Sequence, residues 1–127
     1  MKISEIAYIG YPVTDVPRAK AFYEGVLGLS PARTFGEGDH IWIEYDLGPV
    51  TFAISNMGGK RWKPSPDGPS VAFEMEDFEA AVTELKANGV PFDLEPFDSP
   101  VCRMTVIADP DGNKVIVHKR HSTTPHQ

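Results

Sequence analysis

The sequence predicts an α+β fold built from two βαβββ half-modules that form a curled, mostly antiparallel sheet around a cavity. Two observations lead there. The order strand, helix, three strands occurs twice along 127 residues, and the two copies share fixed points. Tyr8 stands seven residues before Asp15 as Ser70 stands seven before Asp77, and Gly48 and Gly112 each open the last strand of a half. A half with one helix over one face of a four-stranded sheet is too small to bury its other face, so two halves are expected to cover each other and enclose a trough.

The elements follow in order. Glu5 to Val13 is rich in Ile, Tyr and Val and reads as a strand. Thr14-Asp15 offers a helix cap, with Pro17 tolerated in the first turn. Val16, Ala19, Phe22, Tyr23, Val26 and Leu27 recur at helical spacing until Gly28 ends the helix. Strands are expected near Ser30 to Thr34, His40 to Leu47 and Val50 to Asn56, parted by Gly36-Glu37-Gly38 and Gly48-Pro49. Residues 58–68 carry too much Gly, Pro and Ser for an element and read as a linker between half-modules 3–57 and 69–120 of a single domain. Ser70 to Met75 is again strand-like. Asp77 caps a helix with Phe78, Ala81, Val82 and Leu85 on one face, closed by Gly89. Strands near Pro91 to Pro96, Val101 to Ala108 and Lys114 to Lys119 complete the second half, the last two joined by the turn Asp109-Pro110-Asp111-Gly112-Asn113. The tail, 121–127, is expected to be disordered.

Composition narrows the function classes. Net charge is -6 and no run of Lys and Arg could track a phosphate backbone or an anionic bilayer, so neither nucleic acid nor membrane is expected as a partner. No stretch of about 18 apolar residues occurs, and MKISEIAYIG lacks the pattern of an export signal. The one cysteine, Cys102, cannot form an internal disulfide; a buried thiol in a cytoplasmic protein is the expectation.

Three segments then bear a family resemblance: PVTDVPRAKAFYEGVLGL, VAFEMEDFEAAVTELKANGV and DPDGNKVIV. Together they resemble the vicinal-oxygen-chelate superfamily, which includes glyoxalase I, extradiol dioxygenases, and fosfomycin and bleomycin resistance proteins. Metal-dependent members hold a divalent ion with inward His, Glu or Gln side chains, because a Lewis acid with open positions needs three or four N or O ligands at about 2.0 to 2.3 Å. Carried over by position, the resemblance assigns those places to Tyr8, Phe52, Ser70 and Ile116, with Ala53 replacing Phe52 if its strand slips by one residue. None is an ordinary ligand, so no cofactor is expected at the family position and a divalent metal only with rearranged ligands.

Other side chains remain as candidates for contact with a small-molecule ligand. His118 lies two residues beyond Ile116 on the same side of its strand, unless it belongs to an exposed basic end, His118-Lys119-Arg120-His121. His40, Trp42, Glu44 and Asp46 share one face of their strand. If that face looks inward, Glu44 is a candidate acid, base or substituted ligand beside a Trp42 stacking wall; the opposite parity puts Ile41, Ile43 and Tyr45 inside. Arg103 could clamp an anion or snorkel to water. Trp62 could close over a ligand or anchor the linker. The resemblance implies a homodimeric binding protein for an aromatic or cationic molecule, or alternatively a lyase, isomerase or dioxygenase with rearranged ligands or metal-free acid-base chemistry.

Overall fold

Asp15 and Asp77 do the same work at two places in the chain. In the computed structural model, which describes residues 1–121, each carboxylate accepts the backbone N–H three residues on, Arg18 and Ala80 respectively, both at 3.0 Å. Each thereby satisfies one of the donors that a helix start leaves open. The chain divides into two compact units, Met1–Pro64 and one beginning at Ser65, so the boundary falls inside the expected linker. The first holds β1 (Ile9–Pro12), α1 (Val16–Lys20), β2 (Pro31–Glu37), β3 (His40–Leu47) and β4 (Val50–Ser55); the second holds β5 (Val71–Glu74), α2 (Phe78–Ala87), β6 (Phe92–Asp98), β7 (Cys102–Ala108) and β8 (Lys114–Arg120).

Both units are βαβββ modules with the same topology. The sheet orders are β1-β4-β3-β2 and β5-β8-β7-β6, and in each the first and last strands of the module pair in parallel while the other pairs are antiparallel. The α+β class and the repeat are therefore present. No described helix is long and apolar enough to cross a membrane.

Each module packs its helix on one face of its sheet. In the first, Tyr23 meets Phe52 with ring centroids 5.3 Å apart, and Tyr11 and Tyr45 flank the same ring. Tyr45 donates its hydroxyl to Glu24 Oε2 at 2.9 Å, tying β3 to the helical segment. In the second, Phe78, Val82 and Leu85 are buried from the helix side, and Val71, Ile107, Val115 and Val117 from the sheet. Alternation along the strands sends the remaining residues to the opposite, open face.

Several expectations change in detail. The first helix is not one regular stripe: α1 passes into a π-helical segment, Ala21–Val26, in which Leu27 N–H bonds Phe22 O at 2.9 Å. β1 begins at Ile9 rather than Glu5, and β5 at Val71 rather than Ser70. At β1 the partner strand is too short for a start at Glu5. Ile9 already pairs with Phe52, which leaves β4 two residues before the Gly48 turn. The linker contains a 3₁₀ turn, Gly59–Arg61. Of the tail, residues 122–127 lie outside the described residues.

Candidate functional site

Strand parity decides which side chains can meet a ligand. On β3, Ile43 and Tyr45 are buried under the helical segment, so Trp42, Glu44 and Asp46 stand on the open face of the first module. The register pairs Glu44 with Ala53 and Tyr45 with Phe52. Ala53 thus has the parity of the open face, although it is itself fully covered there, and Phe52, 1% exposed, lies on the helix side. The inward position assigned to Phe52 is corrected: the one-residue slip weighed for that strand is what occurs, because Phe52 completes the aromatic cluster beneath the helix.

Three aromatic rings gather on this open face. Tyr8 meets Trp42 edge to face at 5.0 Å, and Trp62 stacks against Trp42 at 6.4 Å with a 29° tilt. Trp62 comes from the linker, and two glycines make its position possible. A Cβ on Gly10 would lie 3.1 Å from the Trp62 ring, and one on Gly58 would lie 2.4 Å from Trp62 Cβ. Gly10 lets the indole lie down on β1; Gly58 lets the turn fold back. Tyr8 precedes β1 and is 49% exposed, so it edges this cluster rather than filling a core.

Beside the rings runs a charged network. Arg33 on β2 donates Nε to Glu44 Oε1 at 2.5 Å and its two terminal nitrogens to Asp46 at 2.5 and 3.0 Å. Trp42 Nε1 donates to Glu44 Oε2 at 2.9 Å, and Thr51 to Asp46 Oδ1 at 3.0 Å. The Arg33 hydrogen bond first, then the Trp42 indole, hold the Glu44 carboxyl below its ordinary range. Arg33 first, then Thr51, do the same for Asp46. Glu44 is therefore an ionised acceptor with both oxygens engaged, suited to orienting Trp42 and poorly suited to donating a proton. Taken by itself, the network sets two carboxylates against one guanidinium, a net charge of -1, whereas Trp62 has Arg61 and Lys63 as its chain neighbours. His40 sits exposed at the hairpin end of β3.

On the second module the open face carries Ala72 and Glu74 from β5, Met104 and Val106 from β7, and Ile116 and His118 from β8, in register with one another. Ile116 and His118 do share a face. His118 Nδ1 lies 2.6 Å from Glu74 Oε1. Ser70 lies before β5 and is exposed. Arg103 is corrected: it faces α2, its guanidinium 5.5 Å from the Phe78 ring centre and bonded to Glu79 and Asp98 at 2.9 and 3.1 Å. Thr105 and Val117, flanking residues of the same parity, are fully buried there, so Arg103 caps the helix side of the sheet instead of the open face. Cys102 is buried beside Ser99.

Three participants escaped the sequence: Arg33, Gly10 and Glu74. Arg33 had a signal in principle, since β2 and β3 are joined by a short turn that brings it beside Glu44. Gly10 and Glu74 had none, because their roles depend on a linker indole and on a strand 44 residues away. The donors at the positions carried over for a metal do not fit a divalent ion. They are a phenol, a phenyl or methyl group, a hydroxyl and an aliphatic side chain. Among the described residues no three His, Cys, Asp or Glu side chains gather to hold a metal.

Comparison with known proteins gives a consistent family signal. A family model described as the Glyoxalase/Bleomycin resistance protein/Dioxygenase superfamily matches residues 5–117. An anthracycline biosynthesis protein, DauV, from Streptomyces sp. (strain C5) is 30% identical over 113 residues, covering 84% of this chain; the chain spans only 38% of that relative's length. Among solved structures, TnmS3, an antibiotic binding protein from Streptomyces sp. CB03234, superposes with a TM-score of 0.78 at 21% identity, covering 95% of this chain and 99% of that one. A superfamily member from Sphaerobacter thermophilus DSM 20745 gives 0.73 at 21% identity, covering 92% and 98%.

Proposed function

Because the chain belongs to the glyoxalase/bleomycin resistance protein/dioxygenase superfamily, we propose that it is a binding protein for a planar, cationic aromatic molecule of the antibiotic type. The observation that carries this reading is the open face of the first module, where Tyr8, Trp42 and Trp62 adjoin the Arg33–Glu44–Asp46 network, which has one more carboxylate than guanidinium. Indole and phenol faces attract flat π systems and cations, and the residual charge favours a cation over an anion. The Arg33–Glu44–Trp42 chain of hydrogen bonds fixes the Trp42 ring before a ligand arrives, which reduces the ordering cost of binding. The anthracycline biosynthesis relative and the antibiotic binding protein of similar fold support the ligand class. A homodimer and a cytoplasmic location belong to the same proposal.

The test is titration with an anthracycline, following tryptophan fluorescence. Saturable quenching is expected. Trp42→Leu should weaken binding by about 1 to 3 kcal/mol, roughly five- to 150-fold, since stacking and cation–π contacts are each worth about that order. The isolated amino sugar should not bind measurably. Absence of quenching, or equal affinity in Trp42→Leu, refutes the reading.

A further inference from the structure

The second module carries a pair of groups that the aromatic face does not use. Glu74 Oε1 meets His118 Nδ1 at 2.6 Å, while Oε2 accepts the Arg120 backbone N–H at 2.7 Å. Burial alone would raise the Glu74 carboxyl, but the Arg120 N–H and His118 outweigh it and hold the group below its ordinary range. An ionised carboxylate only accepts hydrogen bonds, so Nδ1 carries a proton, and in the neutral form of the ring Nε2 keeps its lone pair. No described residue hydrogen-bonds Nε2, and the His118 side chain is 23% exposed. The residue opposite on β7 is Met104, Ile116 lies two residues back, and the Arg120 guanidinium is 3.8 Å from Glu74 Oε1, while the neighbouring Lys119 reaches away to the Glu76 backbone carbonyl.

We propose that His118, positioned by Glu74, is a proton-accepting site for an acidic hydroxyl, of the phenol or enol class. An acceptor nitrogen needs a ligand that brings its own hydrogen. A carboxylate or phosphate brings none and would set a second negative charge against Glu74. A phenol donates to Nε2. On transfer the O–H bond breaks, the N–H bond forms on Nε2, and the electron pair stays on oxygen, giving a phenolate beside an imidazolium that Glu74 neutralises. Arg120 adds positive charge for the oxygen. Glu74 is a positioning residue: it fixes the tautomer and stabilises the charged ring without touching the ligand.

The pair lies wholly within the second module, and it is read with p-nitrophenol, which turns yellow on ionising. Its absorbance is titrated against pH with concentrated full chain and compared with the dye alone. The bound dye is expected to ionise about one pH unit lower than the free dye, a tenfold bias toward phenolate. His118→Gln should abolish the shift and Glu74→Gln most of it, whereas Glu74→Asp should restore part. Equal melting temperatures check that each variant is folded. A bound dye that titrates like the free one, a shift that survives His118→Gln, or no binding by the folded parent at saturating dye each overturns the proposal. Loss of anthracycline quenching with an intact phenol shift would sink only the function proposed above, and the reverse result would sink only this one.

Discussion

Replacing Phe52 by alanine separates the two faces of the first sheet more sharply than any other single change. Phe52 is 1% exposed and in ring contact with Tyr11, Tyr23 and Tyr45 at 5.4, 5.3 and 6.3 Å. Truncating a buried phenylalanine removes its transfer free energy and leaves a cavity that three rigid rings cannot collapse into, a loss of about 3 to 5 kcal/mol. A domain of this size has roughly 5 to 15 kcal/mol in total. At about 4 °C per kcal/mol, the melting temperature should fall by roughly 12 to 20 °C. Phe52→Leu, which keeps most of the volume, should cost about 1 kcal/mol or slightly more and remains folded for binding measurements. Calorimetry reads the stability and tryptophan quenching reads the ligand. Phe52→Leu should bind anthracycline as the parent does, because the ring lies on the helix side. If instead Phe52→Ala melts within a few degrees of the parent and loses the ligand, Phe52 lines the site and the parity of β3 and β4 is inverted.

Two further outcomes are expected. Arg33→Ala should lower the melting temperature at neutral pH and leave it unchanged in strong acid. The folded-state Glu44 and Asp46 carboxyls titrate below their ordinary values of 4.5 and 3.8, so the stability they contribute is complete above those values and lost as pH falls through the depressed ones; a difference that persists at low pH would contradict this. Light scattering over a dilution series should show a dimer, since Leu94 and Phe97 on the second module are 49% and 41% exposed and apolar. Monomer mass at every concentration would refute it.

The elements were legible because their signals are local. Asp15 and Asp77 cap, Gly28 and Gly89 terminate, and His40 to Leu47 is bounded by turns on both sides, so β3 matches residue for residue. Side-chain direction was harder. On β3 both alternatives are chemically plausible, Ile43 and Tyr45 against Trp42 and Glu44, and only the packing of Tyr23 and Glu24 against the sheet chooses between them. Phe52 was misplaced for the same reason: one step along an extended chain exchanges core for open face. Arg103 was left open between clamping an anion and snorkelling to water because an arginine under a helix, stacked on Phe78 and paired with Glu79, looks in sequence like either.

The π-helical segment marks a difference in length between the two modules. Gly28 and Gly89, both with positive φ, end the corresponding helices, yet Gly28 lies 13 residues after its capping Asp15 and Gly89 only 12 after Asp77. The wider turn between Phe22 and Leu27 accommodates the additional residue of the first module. In a βαβββ module of this kind, then, the helix is where a change in chain length can be absorbed. The strands have no such slack: one added residue ahead of Trp42 in β3 would turn Trp42 toward the core and Ile43 toward the open face.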